Sequence, residues 1–368
     1  RLAVGFYDED PATGKIVRTD RFELDVDGES TVVAAAAGKK RPAFILVNDD
    51  DLTYTKLRFD ADSLSFALAN LQRFDDALAR AVVWLSLWDM TRDGDLAAEK
   101  FIDTTLALLA TETESTTFRY ALSCMSTTAW HYTAPDRRAD VVKHVAKELW
   151  KLVIAAPGGS DQQFQLVTAY LGYGEEGDAE FAEHAQGLFD GSLIVVGLEI
   201  DNNFTWTIIN ALSSVKLIDQ AGIDAQLAKR DTTENREFAL GAHAVRGDAA
   251  AKEWAWNEAL NNADLTNMQL EAVARGFGAT PRPDLAEPYA AKYYDVVDWV
   301  WKNKSFHMAE ALLEGLYPYY ADPATLVELG HRWLADHEDA DNALKRIVRG
   351  NVESSQRTLK VRDFNAAL

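Results

Sequence analysis

The chain has 368 residues, with 58 Asp and Glu against 37 Lys and Arg, a formal net charge of -21 and a sequence pI near 4.7. So acidic a surface repels phosphate backbones and anionic lipid headgroups. The basic residues are scattered singly or in short groups such as Lys39-Lys40-Arg41, so neither nucleic acid nor a membrane is an expected partner.

A composition of 48% hydrophobic and 26% charged residues supplies enough apolar surface for a globular chain. The length exceeds what one compact core usually holds, which points to several domains or an elongated repeat stack. Cys124 is the only cysteine, so neither an internal disulfide nor a thiolate zinc cluster can form. That usage fits a reducing compartment, and a cytoplasmic location is expected. The longest strongly apolar uncharged run, residues 81–88, falls far short of the roughly 18 to 20 residues that span a bilayer. The N-terminus, Arg1 to Tyr7, has no basic segment followed by an apolar one, and it starts within a strand pattern without an initiator Met. An excised piece of a longer protein is therefore expected.

From residue 1 to about 60 the hydrophobic period is near two. Leu2, Val4 and Phe6 alternate with smaller or polar neighbours, and a turn follows at 8–14. A second strand is predicted over 16–26, where Phe22, Leu24 and Val26 alternate with Glu23 and Asp25. Further strands are predicted at 30–35, at 43–47 after Pro42, and at 56–59. Short strands with Gly, Pro and Asp turns read as a small antiparallel β-sandwich domain, 1–60.

After Asp60 the period becomes helical. Ser63 precedes Leu64, Leu68 and Leu71 at helical spacing, and Asp75-Asp76 opens a helix over 78–90. Amphipathic segments then follow at about 95–111, 116–132, 136–155, 161–171, 178–188 and 205–217. The remainder are at 233–245, 249–261, 265–277, 285–301, 305–316, 324–336 and 341–361. Most are joined by short turns carrying Gly, Pro, Asp or Asn. No strict residue period is present, so any repeats are degenerate. A mostly α chain follows, with an α-solenoid of paired HEAT-like helices over 61–368, because stacking lengthens a core without thickening it.

Few motifs carry chemistry. Gly172-Tyr173-Gly174-Glu175-Glu176-Gly177 matches Gly-x-Gly-x-x-Gly, but it follows a helical run instead of a strand, and its two glutamates oppose phosphate. It reads as an inter-helix turn. Asp89 to Asp95 begins like a calcium loop, yet the twelfth position is Lys100 where a bidentate Glu is needed. The seven histidines, 131, 144, 184, 243, 307, 331 and 337, form no His-Glu-x-x-His: four residues after His337 stands Asp341. Gly38-Lys39 lacks the rest of a phosphate loop, and there is no Gly-x-Ser-x-Gly elbow. Cys124, amid Ala121, Leu122 and Met125, reads as a buried small residue. The tryptophan pairs 254/256 and 299/301 are two apart and cannot share a helix face, so one member of each is expected to be partly exposed or at a second contact. No catalytic or metal residue is assigned, and no substrate-binding residue can be named. From the residues alone, a structural or binding role is expected.

Two stretches carry a resemblance. Residues 44–60, with Asn48, Tyr54, Lys56 and the Phe59-Asp60 pair, resemble the segment that closes the small β-domain of aminopeptidase N family zinc peptidases. The Asn48 to Asp51 form is most similar to actinobacterial members. Residues 248–260, with Trp254 and Trp256, and their continuation to Tyr289 resemble the late helical domain of that family. The resemblance covers the C-terminal half of such an enzyme, without the thermolysin-like domain that carries His-Glu-x-x-His. It implies a non-catalytic C-terminal region of a zinc-dependent aminopeptidase, inactive alone, with no cofactor in this chain and zinc in the catalytic domain outside it. Its partners would be the N-terminal and catalytic domains of the same polypeptide and, in the full enzyme, the peptide substrate. It also implies that the helical domain covers the active site and controls peptide access. One departure stands out: Asp201-Asn202-Asn203-Phe204-Thr205-Trp206 has Thr205 where comparable members have Arg. The alternative is a freestanding helical-repeat module that binds a peptide or protein.

Overall fold

A computed structural model describes all 368 residues. The fold is mostly helical, with one small antiparallel sheet at the N-terminus. Two compact units are distinguished: residues 1–148 with 360–368, and residues 149–359.

The first unit begins with β1 (Leu2–Glu9), β2 (Ile16–Leu24) and β3 (Phe44–Val47), ordered β2-β1-β3 and antiparallel throughout. The predicted pair of sheets is one three-stranded sheet. Residues 30–35, expected as a strand, form irregular chain ending in a 3-10 turn at Ala34–Ala36, and 56–59 has no regular structure. Both stretches have suitable residue types, but neither finds a neighbouring strand, and an extended segment gains its backbone hydrogen bonds only from a partner. One face of the sheet is closed instead by helices. Tyr7 and Phe44 pack with Phe66 and Phe74, ring centroids lying 5.2 to 6.2 Å apart. Beneath β1 the Tyr7 hydroxyl donates to buried Asp49 at 2.6 Å, and Arg18 pairs with the same carboxylate at 2.8 Å. Gly5 is required there, since a Cβ would stand 2.6 Å from the Asp49 Oδ2.

The helices of this unit are α1 (Ala61–Asn70), α2 (Ala77–Arg92), α3 (Ala98–Leu109) and α4 (Ser115–Thr127), with the start of α5 (Arg138–Ala155). Asp60 and Asp76 cap α1 and α2 by accepting amide hydrogens of their first turns. The helix predicted over 116–132 loosens into a π turn at Thr128–Tyr132. Two carbonyls of that turn are taken by the last residues of the chain: Arg362 donates to His131 O at 2.7 Å and Asn365 to Tyr132 O at 3.4 Å. Asn365 also accepts the buried Ala98 amide at 2.8 Å.

The second unit holds α6 (Asp161–Leu171), α7 (Ala179–Asp190), α8 (Asn202–Ser214), α9 (Gln220–Lys229), α10 (Thr233–Ala244), α11 (Ala249–Asn261) and α12 (Asn267–Gly278). The short α13 (Pro283–Ala286) precedes α14 (Ala290–Asn303), α15 (Phe306–Gly315), α16 (Pro323–Asp336) and α17 (Asn342–Ala366), the last of which ends in the first unit. Pro288 explains why the segment predicted over 285–301 is broken by a 3-10 turn at Glu287–Tyr289. Helix α9 has no counterpart in the sequence reading, since Ile223 is its only buried residue and leaves no periodic stripe.

Helix α10 contacts α8, α9, α11 and α12, while α12 also meets α15, the pattern of stacked helical hairpins. Small residues let that row close up. A Cβ on Gly276 would lie 2.6 Å from Gly241 O, and one on Gly315 would lie 2.8 Å from Ala274 Cβ. Behind the row a continuous core runs from Trp256 through Tyr293 and Leu312 to Trp333 and Val348. Its buried hydroxyls are satisfied: Tyr293 donates to Leu313 O at 2.8 Å, and Tyr317 pairs with Ser355 at 2.8 Å. No helix is long and apolar enough to cross a membrane.

Candidate functional site

Within the second unit, two cavities of about 250 and 220 Å³ adjoin along α6, α8, α10 and α12, both lined by Asn210, Val245 and Ala279. Small residues, Gly172, Gly241, Ala272 and Gly276, are part of the lining, and Gly241 and Gly276 are among those that let the helices close up. Its apolar walls include Phe238 on α10 and Met268 on α12, and Met268 is 54% exposed.

Three polar residues line this groove. The Asn210 Oδ1 is buried and has no hydrogen-bond partner, an expensive arrangement unless a donor arrives. Glu237 on α10 and Arg275 on α12 line the same cavity, and neither forms an ion pair. A groove with one unfilled acceptor, a carboxylate, a guanidinium and apolar walls can hold an extended polypeptide, whose N–H groups and termini offer the matching chemistry. Sequence reasoning named none of these residues. The available signal was Asn210 itself, a polar residue placed mid-helix between Ile208-Ile209 and Ala211-Leu212.

The motifs singled out in the sequence occupy structural positions. The glycine motif is the turn between α6 and α7. Gly174 sits against the Phe181 ring, where a Cβ would come within 2.4 Å, and Gly177 has φ +89°. Glu176 binds Lys216 and Arg282 at 3.0 and 2.7 Å. In the acidic loop, Asp93 is held by Lys56 and Arg58 and Asp95 by Arg58. The histidines are dispersed. His144 meets Asp103, His307 meets Glu271 and His337 meets Asp298. His184 stacks on Trp150 and His243 on Trp254, while His331 pairs with Gln356. Burial first, then Arg362 and Arg138, push the His131 pKa down to about 3, so it is neutral. No three His, Cys, Asp or Glu side chains gather as a metal-binding group. Burial pushes the Cys124 thiol up to about 12, the opposite of what a nucleophile needs. Trp256 is buried and Trp254 partly so, and Trp299 is 42% exposed with Trp301 packed against the core, in keeping with the two-residue spacing.

Around Thr205 the surrounding motif is structural. Asp201 caps α8 by accepting the Phe204 amide at 2.7 Å, Phe204 and Trp206 are buried, and the Thr205 hydroxyl donates to Asp201 O at 2.7 Å.

Residues 44–357 match the model of the family described as ERAP1-like C-terminal domain. The chain belongs to that family. This ERAP1-like C-terminal domain is also 33% identical over 367 residues to "Aminopeptidase N" of Streptomyces lividans. The match takes in 100% of the chain and 42% of that relative's length. A C-terminal region of a peptidase is thus the family setting of the groove.

Proposed function

We propose that this chain is the C-terminal region of a zinc-dependent, cytoplasmic aminopeptidase, in which the segment to about residue 60 bridges to the catalytic domain. Residues 61–368 then cover the active site and control which peptides reach it. The supporting observation is the agreement of two things: family membership over residues 44–357, and a groove whose unfilled Asn210 oxygen and unpaired Glu237 and Arg275 suit a peptide. On this reading, which rests on family membership and on a match to 42% of a relative's length, the zinc and the bond-breaking residues belong to the part of such a protein outside this chain. The role of this chain is binding and exclusion. Its net charge of -21 disfavours strongly anionic peptides before they dock.

The test uses the full-length protein. Asn210→Leu combined with Arg275→Glu is expected to raise KM for peptides of five or more residues by about tenfold, the loss of about 1.4 kcal/mol of binding. KM for a single aminoacyl amide, too short to reach the groove, should stay as in the wild type. Equal effects on both substrates, or on neither, would sink the gating role. A native protein no larger than this chain would favour a freestanding binding module instead.

A further inference from the structure

The connection between α7 and α8, residues 191–201, carries an apolar patch that no part of the fold covers. Ile194 and Val196 are 82% and 81% exposed, and Val195 between them is buried, as expected of an extended segment with alternating sides. Ile154 at the end of α5 and Phe164 on α6 are 60% and 45% exposed. Gln163 joins these elements. Its side chain accepts the Gly159 amide at 2.8 Å and donates to Val196 O at 3.2 Å and Val153 O at 3.4 Å.

The patch is held firmly. Gly197 lies so close to Gly158 and Gly159 that a Cβ would meet their backbone at 2.4 Å. The connection is tied down at both ends, by Leu193 N to Gly187 O at 3.0 Å and by the Asp201 cap of α8. A loop so fixed cannot fold its aliphatic side chains inward, and rigidly presented apolar groups mark an interaction surface. Carboxylates flank these elements along the chain: Asp190 ends α7, Glu199 and Asp201 lie at the end of the connection and Asp161 opens α6, with Lys151 one turn before Ile154. Such an acidic setting disfavours a second copy of the chain, which would bring the same acids and a further net charge of -21 to the contact. It favours an apolar surface fringed by Lys or Arg.

We propose that the patch centred on Ile194 and Val196 is where the part of the polypeptide outside this chain docks, through an apolar contact ringed by basic side chains. This rests on the reading under Proposed function. The relative matched over 42% of its length leaves more than half of such a protein to supply the partner surface.

Hydroxyl-radical footprinting of the full-length protein, read by mass spectrometry at two protein concentrations, tests it. Ile154, Phe164, Ile194 and Val196 should be labelled several-fold more slowly than in the unfolded protein, equally at both concentrations. Ile194→Asp with Val196→Asp, both outward-facing substitutions, should return Phe164 and Ile154 to faster labelling while the helical circular dichroism stays unchanged. Near-unfolded labelling of Ile194 and Val196 in the wild type overturns the proposal. So does protection that appears only as concentration rises, which would make the occupant a second copy. If the native protein is long and releases N-terminal residues while Ile194 stays reactive, only the docking fails; if it has the mass of this chain alone, the underlying reading fails as well.

Discussion

Arg80 and Glu112 form a doubly bonded ion pair, Nε to Oε2 at 2.8 Å and Nη2 to Oε1 at 2.9 Å, in which Arg80 is 9% and Glu112 3% exposed. The remaining capacity is used: Arg80 donates to Phe74 O, and Glu112 accepts the Thr113 and Glu114 amides. Removing one member leaves the other charge buried, so Glu112→Ala is expected to cost about 3 to 5 kcal/mol in urea unfolding. Burial pushes the Glu112 carboxyl up, but Arg80 and the two amides outweigh it and its pKa falls below the ordinary 4.5. A lowered acid contributes stability above its unfolded pKa and loses it as pH drops through the folded value. Lys252 presents the opposite case. Its ammonium is 2% exposed and donates to Ala244 O at 2.6 Å and to Gly276 O and Phe277 O at 3.2 Å. Thr280 Oγ1 accepts as well. These are carbonyls at the C-terminal ends of α10 and α12, where a cation suits the helix dipoles. No carboxylate touches it, and burial brings its pKa from 10.5 down to about 7. The unfolded chain then holds more protons between about 7 and 10.5, so this group makes stability rise with pH across that window. Lys252→Met should lose that rise, seen by comparing urea midpoints of variant and wild type at about pH 6 and about pH 9.

At the scale of elements, the row α8, α10, α12 and α15 depends on residues that pattern reading treats as weak. Gly276 lies inside α12, where propensity disfavours it, yet a Cβ there would meet Gly241 O, Ala244 Cβ and the Val245 amide within 3.2 Å. Gly276→Ala therefore gains helix propensity and loses packing. Overpacking is the larger effect, so a net loss of about 1 to 3 kcal/mol in thermal or urea unfolding is expected. The lining of the candidate groove should deform with it. Element identity was read well where burial imposes a period: 161–171 and 249–261 coincide with α6 and α11. It failed where tertiary partners decide. Residues 30–35 lack a strand to pair with, α9 buries only Ile223, and the π turn at Thr128–Tyr132 is sustained by Arg362 and Asn365 from the far end of the chain.

For the whole molecule, the net charge bears on which ligands the surface admits. A net charge of -21 without a basic cluster predicts no measurable binding of a labelled DNA duplex at about 50 mM salt by fluorescence anisotropy, since phosphate contacts dominate such affinity. Salt-sensitive binding there would reveal a basic surface formed only in the fold.

The sequence by itself determined the change from a period of two to a helical period near residue 60, the helical hairpins, the absence of local catalytic motifs and the kinship carried by residues 44–60 and 248–289. These are properties of neighbouring residues, and a chain records neighbours directly. Only the tertiary structure decided that one sheet closes on helices, that the Gly-x-Gly-x-x-Gly turn packs against Phe181, and that Asn210, Glu237 and Arg275 meet in one groove. Those residues lie on three helices and are 27 to 65 positions apart. Their meeting depends on how closely glycine-bearing helices stack, a distance that no local pattern of hydrophobicity encodes.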